Sequence, residues 1–186
     1  MSFTADVKEE LSRVAPTCSH CEQATLSALV RIEGSLVLSG GGKMALEVDT
    51  DSPPTARLMV KLLHELFHLK TELTVRRSVL HKTPNYLIEV PMQAALPDAL
   101  RELGIISETG IRSGIPSQLV EKRCCAAAYL RGAFLGGGFI ASPRGDFHFE
   151  IALEASDLAD DIARLMERSD IPAKIMQRRN NFIVYL

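Results

Sequence analysis

The apolar residues change period several times along the chain, and each change marks an element. Phe3, Val7, Leu11 and Val14 recur at helical spacing, with Thr4 placed as a cap and Pro16 as a stop, which predicts an amphipathic helix. After a Cys-rich turn, an apolar run predicts a second helix over residues 21–33. Period-two alternation then takes over. It predicts a strand at 36–38, a hairpin at Gly40-Gly41-Gly42, and a strand over 43–49 with Met44, Leu46 and Val48 on one face. Asp51 or Ser52 can cap the next helix and Pro53-Pro54 suit its first turn. Leu58, Met59, Leu62, Leu63 and Leu66 form one apolar stripe over residues 55–69. Strands at 72–79 and 85–90 and a helix over 93–103 complete an αββαββα order.

Gly104, Gly110, Gly114, Ser113 and Pro116 mark the stretch that follows as a linker, and beyond it the same order returns. A helix is expected over 119–135, strands at 138–141 and 146–153 around the turn Pro143-Arg144-Gly145, a helix over 156–168 capped by Ser156, and strands at 174–179 and 181–186. The halves align residue by residue. Leu46-Glu47-Val48 matches Phe149-Glu150-Ile151, Val75-Arg76-Arg77 matches Gln177-Arg178-Arg179, and residues 85–90 match 181–186. The runs that open each half, Leu26-Ser-Ala-Leu-Val-Arg-Ile-Glu-Gly34 and Leu130-Arg-Gly-Ala-Phe-Leu-Gly-Gly-Gly138, share a small third residue and a glycine ninth. Small residues let helix backbones approach closely, so Ala28 and Gly132 are expected where the two helices meet. The second copy lacks a counterpart of helix 93–103, which reads as a fragment of a longer protein.

Both runs resemble the LAGLIDADG motif of homing endonucleases, whose eighth residue is an acid; here that place holds Glu33 and Gly137. The whole chain is similar to the WhiA family of bacterial sporulation and cell-division regulators. The likeness rests on Ser2-Phe3, Val7-Lys8-Glu9-Glu10-Leu11, Leu38-Ser39-Gly40-Gly41-Gly42, Gly114-Ile115-Pro116, Cys124-Cys125 and the run from Ala128 to Leu135. That resemblance implies an α+β, homing-endonuclease-like fold: two αββαββ(α) repeats forming a saddle of antiparallel strands, covered by helices on one face. The corresponding division is an N-terminal helix and Cys-rich turn (1–20), a first repeat (21–103), a linker (104–118) and a second repeat (119–186). It further implies a non-catalytic domain of a DNA-binding transcriptional regulator acting in sporulation, cell division or chromosome segregation. Promoter duplex would be the main partner, reached chiefly through a helix-turn-helix domain that is missing here, and a partner regulator protein the second. A protein-interaction platform without DNA affinity is the alternative reading, and an active endonuclease the third.

Composition narrows the field. With 46% hydrophobic and 24% charged residues among 186, the chain can bury a core. A formal charge of -2 argues against a broadly basic nucleic-acid binder, so any basic surface is local. No apolar run nears the roughly 18 residues of a membrane span, and Asp6, Glu9 and Glu10 are foreign to a signal peptide. A cytoplasmic, nucleoid-associated protein without membrane contact is expected.

Two motifs suggest metals. Cys18-Ser-His-Cys21 supplies half a zinc set that His20 or Cys124-Cys125 could complete, but adjacent cysteines are not a properly spaced second pair, so no metal or other cofactor is expected. His64-Glu65-Leu66-Phe67-His68 matches HExxH, yet Lys61 shares that face and no third ligand is evident, which reads as the solvated side of a helix.

Cleavage of the LAGLIDADG kind needs an acid from each motif helix to hold divalent metal. Gly137 offers none, which leaves Glu33 as a vestigial position and no catalytic residue. DNA contact would fall to the open sheet face, where alternation places Thr74, Arg76 and Ser78 on one half, and Lys174, Met176, Arg178 and Asn180 on the other. Lys43 shares that face with the acids Glu47 and Asp49, and in the second half with His148, Glu150 and Glu154. Arg77, Lys82, Arg144 and Arg179 are candidates at its rim. The expected DNA-binding set is therefore Lys43, Arg76, Arg77, Lys82, Arg144, Lys174, Arg178 and Arg179.

Overall fold

The computed structural model describes residues 2–77 and 84–186. Among the described residues, six α-helices lie on one side of two four-stranded antiparallel sheets, in the α+β arrangement expected. The first repeat runs α2 (Cys21–Glu33), β1 (Gly34–Ser39), β2 (Lys43–Thr50), α3 (Pro53–Phe67), β3 (Glu72–Arg77), β4 (Pro84–Val90) and α4 (Leu96–Glu102), after α1 (Phe3–Leu11). The second runs α5 (Arg123–Gly137), β7 (Gly138–Ile140), β8 (Phe149–Leu153), α6 (Ser156–Glu167), β9 (Lys174–Arg178) and β10 (Asn181–Tyr185). Strand order is β1-β2-β4-β3 in one sheet and β7-β8-β10-β9 in the other, so topology repeats with sequence.

The motif helices α2 and α5 pack side by side at the centre, and their small residues permit it. A methyl group on Gly132 would sit 2.5 Å from the Thr25 carbonyl and 2.9 Å from the Ala28 methyl, so this is backbone-to-backbone contact. The Thr25 hydroxyl crosses the seam to donate to the Ala128 carbonyl at 3.1 Å. Each helix also serves both halves. Leu26, Leu29 and Val30 of α2 join the core of the first sheet, while its Ala24 and Ala28 join the core of the second; Leu135 of α5 crosses the other way.

Several local expectations change. Ser2, not Thr4, caps α1 by accepting from the Ala5 amide at 3.2 Å, because the Thr4 hydroxyl is engaged with Ile140 of β7, donating at 2.8 Å and accepting at 3.1 Å. Ser156 opens α6 as its first residue rather than its cap, and Ala155 holds the cap position. Helix α4 starts three residues after Gln93, whose side-chain amide is bound to both backbone groups of Lys70, at 2.9 and 3.0 Å. Helix α5 begins at Arg123, because residues 117–119 turn as a 3-10 helix.

The expected linker holds a short hairpin, β5 (Ile106–Ser107) and β6 (Gly110–Ile111), and is fastened down. Arg31 of α2 donates to the carbonyls of Gly104 and Arg112 at 2.6 and 2.7 Å, Ser27 to that of Leu103 at 2.6 Å, and Asp161 of α6 accepts from the Ile115 amide at 2.7 Å. Among the described residues, no helix is long and apolar enough to cross a membrane.

Candidate nucleic-acid interface

Cross-strand partners in an antiparallel sheet share a face, so pairing assigns every strand residue to the helix side or the open side. Leu46, Val48, Ile88 and Val90 are buried under the helices, which puts Lys43, Ala45, Glu47 and Asp49 of β2 on the open side. Register carries that assignment to Leu87 and Glu89 of β4 and to Glu72, Thr74 and Arg76 of β3. In the second sheet, buried Ile151, Leu153 and Val184 leave Glu150 and Ala152 of β8, Ile183 and Tyr185 of β10, and Lys174, Met176 and Arg178 of β9 open.

Of the eight expected DNA-contacting residues, Lys43, Arg76, Lys174 and Arg178 lie on this open face. Arg77 falls on the opposite side of β3, since its neighbour Arg76 is open. Arg144 stands exposed in the β7–β8 turn, and Arg179 sits in the β9–β10 turn with a left-handed φ of 57°. Lys82 lies outside the described residues, as do Ser78 and Val79.

The two sheets differ in sign at equivalent places. On the first, Glu47, Glu89 and Glu72 stand directly opposite one another across β2, β4 and β3, a row of three carboxylates. On the second, the matching row is Glu150, Tyr185 and Lys174. Arg178 reaches Glu150 at 3.3 Å, and His148 approaches the same carboxylate at 2.9 Å. The acid there is therefore matched by Arg178, while among the described residues no ion pair reaches the three acids of the first sheet.

At the ends of the motif helices a cleft of about 610 Å³ is lined by Glu33, Gly136 and Gly137, with Arg112 and Ser113 from the fastened segment and Glu154 and Asn181 from the second sheet. Burial pushes the Glu33 carboxyl up to about 8, against the opposing pull of Thr50 and Lys8, and its Oε2 is buried without a hydrogen-bond partner. Opposite it, a Cβ on Gly137 would lie 2.4 Å from the Ala152 carbonyl oxygen, so this backbone has no room for a second acid.

Sequence reasoning underrated one constellation. The sulfurs of Cys18, Cys21, Cys124 and Cys125 all lie within 4.8 Å of one another, although the two pairs are more than a hundred positions apart in sequence. This overturns the reason for discounting them, since folding supplies the second pair that spacing did not show. His64 and His68, by contrast, meet only edge to face, 6.2 Å apart, and Glu65 pairs with Lys61 at 3.8 Å.

Comparison with known proteins agrees with this architecture. Residues 19–106 match the WhiA N-terminal LAGLIDADG-like domain, and residues 126–186 match the WhiA LAGLIDADG-like domain. A probable cell division protein WhiA from Heliobacterium modesticaldum is 42% identical over the whole of this chain, which spans 59% of that relative's length. The crystal structure of the N-terminal LAGLIDADG domain of DUF199/WhiA superposes with a TM-score of 0.76 at 20% identity, over 100% of this chain and 83% of that one. I-DmoI, in complex with DNA and manganese, superposes with a TM-score of 0.60 at 12% identity, over 89% of each chain. With a model of that family matched on either side of the central segment and a relative aligned from end to end, the chain belongs to the WhiA family.

Proposed function

We propose that this chain is a non-catalytic domain of a DNA-binding transcriptional regulator, a LAGLIDADG scaffold retained for contact rather than cleavage. The observation that carries the reading is the packing of Gly137 against the Ala152 carbonyl. A two-metal cleavage site needs carboxylates from both helix ends, and here one is absent while the other, Glu33, holds its proton to about 8. I-DmoI was crystallised with DNA on the same fold, which supports duplex as the contact.

In this reading the second sheet makes the contact. Lys174 and Arg178 on its open face, with Arg179 and Arg144 in adjoining turns, offer cations to phosphates. Action at promoters in sporulation, cell division or chromosome segregation, association with the nucleoid, and contact with a partner regulator belong to the whole protein and are proposed with it.

The carboxylate row of the first sheet, without an ion-pair partner among the described residues, favours a second reading, in which that half is a platform for a basic protein surface, since acids facing phosphates weaken DNA binding. Fluorescence anisotropy with duplex DNA across a salt series separates the two. Salt-steep binding, weakened several-fold by joint Lys174→Ala and Arg178→Ala, is expected, with the slope of log K against log salt shallower by about 1–2. No binding at low salt would leave the platform alone. Magnesium- or manganese-dependent cleavage abolished by Glu33→Ala would overturn the non-catalytic assignment.

A further inference from the structure

We propose that Cys18, Cys21, Cys124 and Cys125 form a single-ion, four-thiolate zinc site that ties the N-terminal ends of α2 and α5 together. The site goes beyond DNA contact and does not depend on it.

The geometry is that of one tetrahedral ion. A zinc ion with sulfurs at about 2.3 Å sets them about 3.8 Å from one another. Here Cys18 Sγ lies 3.5 Å from Cys21 Sγ, 3.5 Å from Cys125 Sγ and 3.6 Å from Cys124 Sγ, and no separation in the set exceeds 4.8 Å. All four cysteines are free thiols. The compactness also selects a single ion over a cluster. An all-sulfur tetrahedron suits zinc or iron, but an iron–sulfur cluster places its own sulfides between the irons and holds cysteines farther apart than this.

Local structure presents the ligands. The Cys21 amide donates to the Cys18 carbonyl at 3.1 Å, closing the turn that brings the first pair to one side. Cys21 is the first residue of α2, and Cys124 and Cys125 lie in the first turn of α5. Neither helix has a side-chain cap: His20 and Lys122 occupy the cap positions without bonding to the exposed amides. The positive ends of both helices therefore lie at the cluster, where they favour an anionic ligand set on a metal. On binding, four thiols release their protons to solvent and four S–Zn bonds form, with no change of oxidation state. Four protein ligands leave no open position, so the role is structural. Cys21 and Cys125 are buried while Cys18 and Cys124 are partly exposed, which gives the ion a way in.

The test uses this chain without an affinity tag, purified under reducing conditions without chelator, and requires no DNA. Elemental analysis is expected to find about one zinc per chain. Cobalt(II) added to the metal-free reduced protein is expected to produce sulfur-to-cobalt charge-transfer bands and tetrahedral d–d bands that stoichiometric zinc abolishes. Cys18→Ser, chosen because this side chain is the least embedded of the first pair, should lose those charge-transfer bands in part and release zinc to a weaker chelator than the parent requires. The cobalt experiment on the unmutated chain stands whether or not any variant folds. A reduced chain that takes up neither metal stoichiometrically overturns the site. Iron with acid-labile sulfide in freshly purified protein overturns the single-ion assignment.

Discussion

Glu33 shows how one residue changes meaning when its partner is lost. With an acid opposite and metal between them, a buried carboxylate at a helix end is compensated; with Gly137 opposite, it is a desolvation cost. The linkage follows from its raised value. In the unfolded chain a glutamate titrates near about 4.3, and in the folded chain Glu33 keeps its proton to about 8. Between those values the folded state binds the proton that the unfolded state has released, so stability falls as pH rises through this window and levels off above it. Glu33→Gln imitates the protonated form at every pH. Chemical denaturation at pH 4 should find parent and variant alike, while at pH 8 the variant should be more stable by several kcal/mol, on the order of 4–5 at about 1.36 kcal/mol per pH unit. A variant no more stable than the parent at pH 8 would show that Lys8 compensates the charge.

At the scale of elements, the row Glu47-Glu89-Glu72 makes a similar argument across three strands. Like charges directly opposite in a sheet are destabilising by roughly 0.2–1 kcal/mol per pair, and Glu89 belongs to two such pairs. Glu89→Gln should therefore raise the denaturation midpoint and flatten its dependence on salt; an unchanged midpoint at low ionic strength would mean the row is already screened by solvent. This scale is also where the sequence was most and least legible. Helix α3 and strand β2 could be read because their apolar periods reflect one buried face, and burial is what the period records; α2 and β10, buried on both sides, were legible as continuous apolar runs and through the internal repeat. The errors at Thr4 and Gln93 share one cause, and that at Ser156 is a shift of helix start. Each side chain was assigned from its neighbours in sequence, but Thr4 and Gln93 spend their hydrogen bonds on residues far along the chain, and the helix at Ser156 began one residue early. The four-cysteine cluster could be named from the sequence but was discounted for the same reason: its halves meet only because α2 and α5 pack side by side with matching N-terminal ends. On the candidate interface, alternation placed Lys43, Thr74, Arg76, Lys174, Met176 and Arg178 on one side as the register does, but it set Arg77 at the rim of that face and ran past the strand ends at His148, Glu154 and Asn180; the carboxylate row needed the strand order, which periodicity does not contain.

At the scale of the molecule, duplication has produced two sheets but not two independent cores. Ala24 and Ala28 of the first motif helix are built into the second core, Leu135 of the second motif helix into the first, and Arg31 and Ser27 fasten the connecting segment to α2 itself. Neither half can unfold without exposing apolar surface of the other, so the chain is expected to unfold in one cooperative transition, with fluorescence and circular dichroism superimposable. Gly132 is the sharpest probe of that coupling, because an added methyl would meet the Thr25 backbone at 2.5 Å, where no side chain can rotate away. Gly132→Ala gains helix propensity by up to about 1 kcal/mol, but forcing the helices apart costs about 1–3 kcal/mol, so a net loss is expected. The decisive feature is the shape of the curve. If the pair couples the halves, the variant's single transition shifts to lower denaturant and stays single. A split into two transitions would mean that each sheet and its helices fold alone, and that α2 and α5 merely dock.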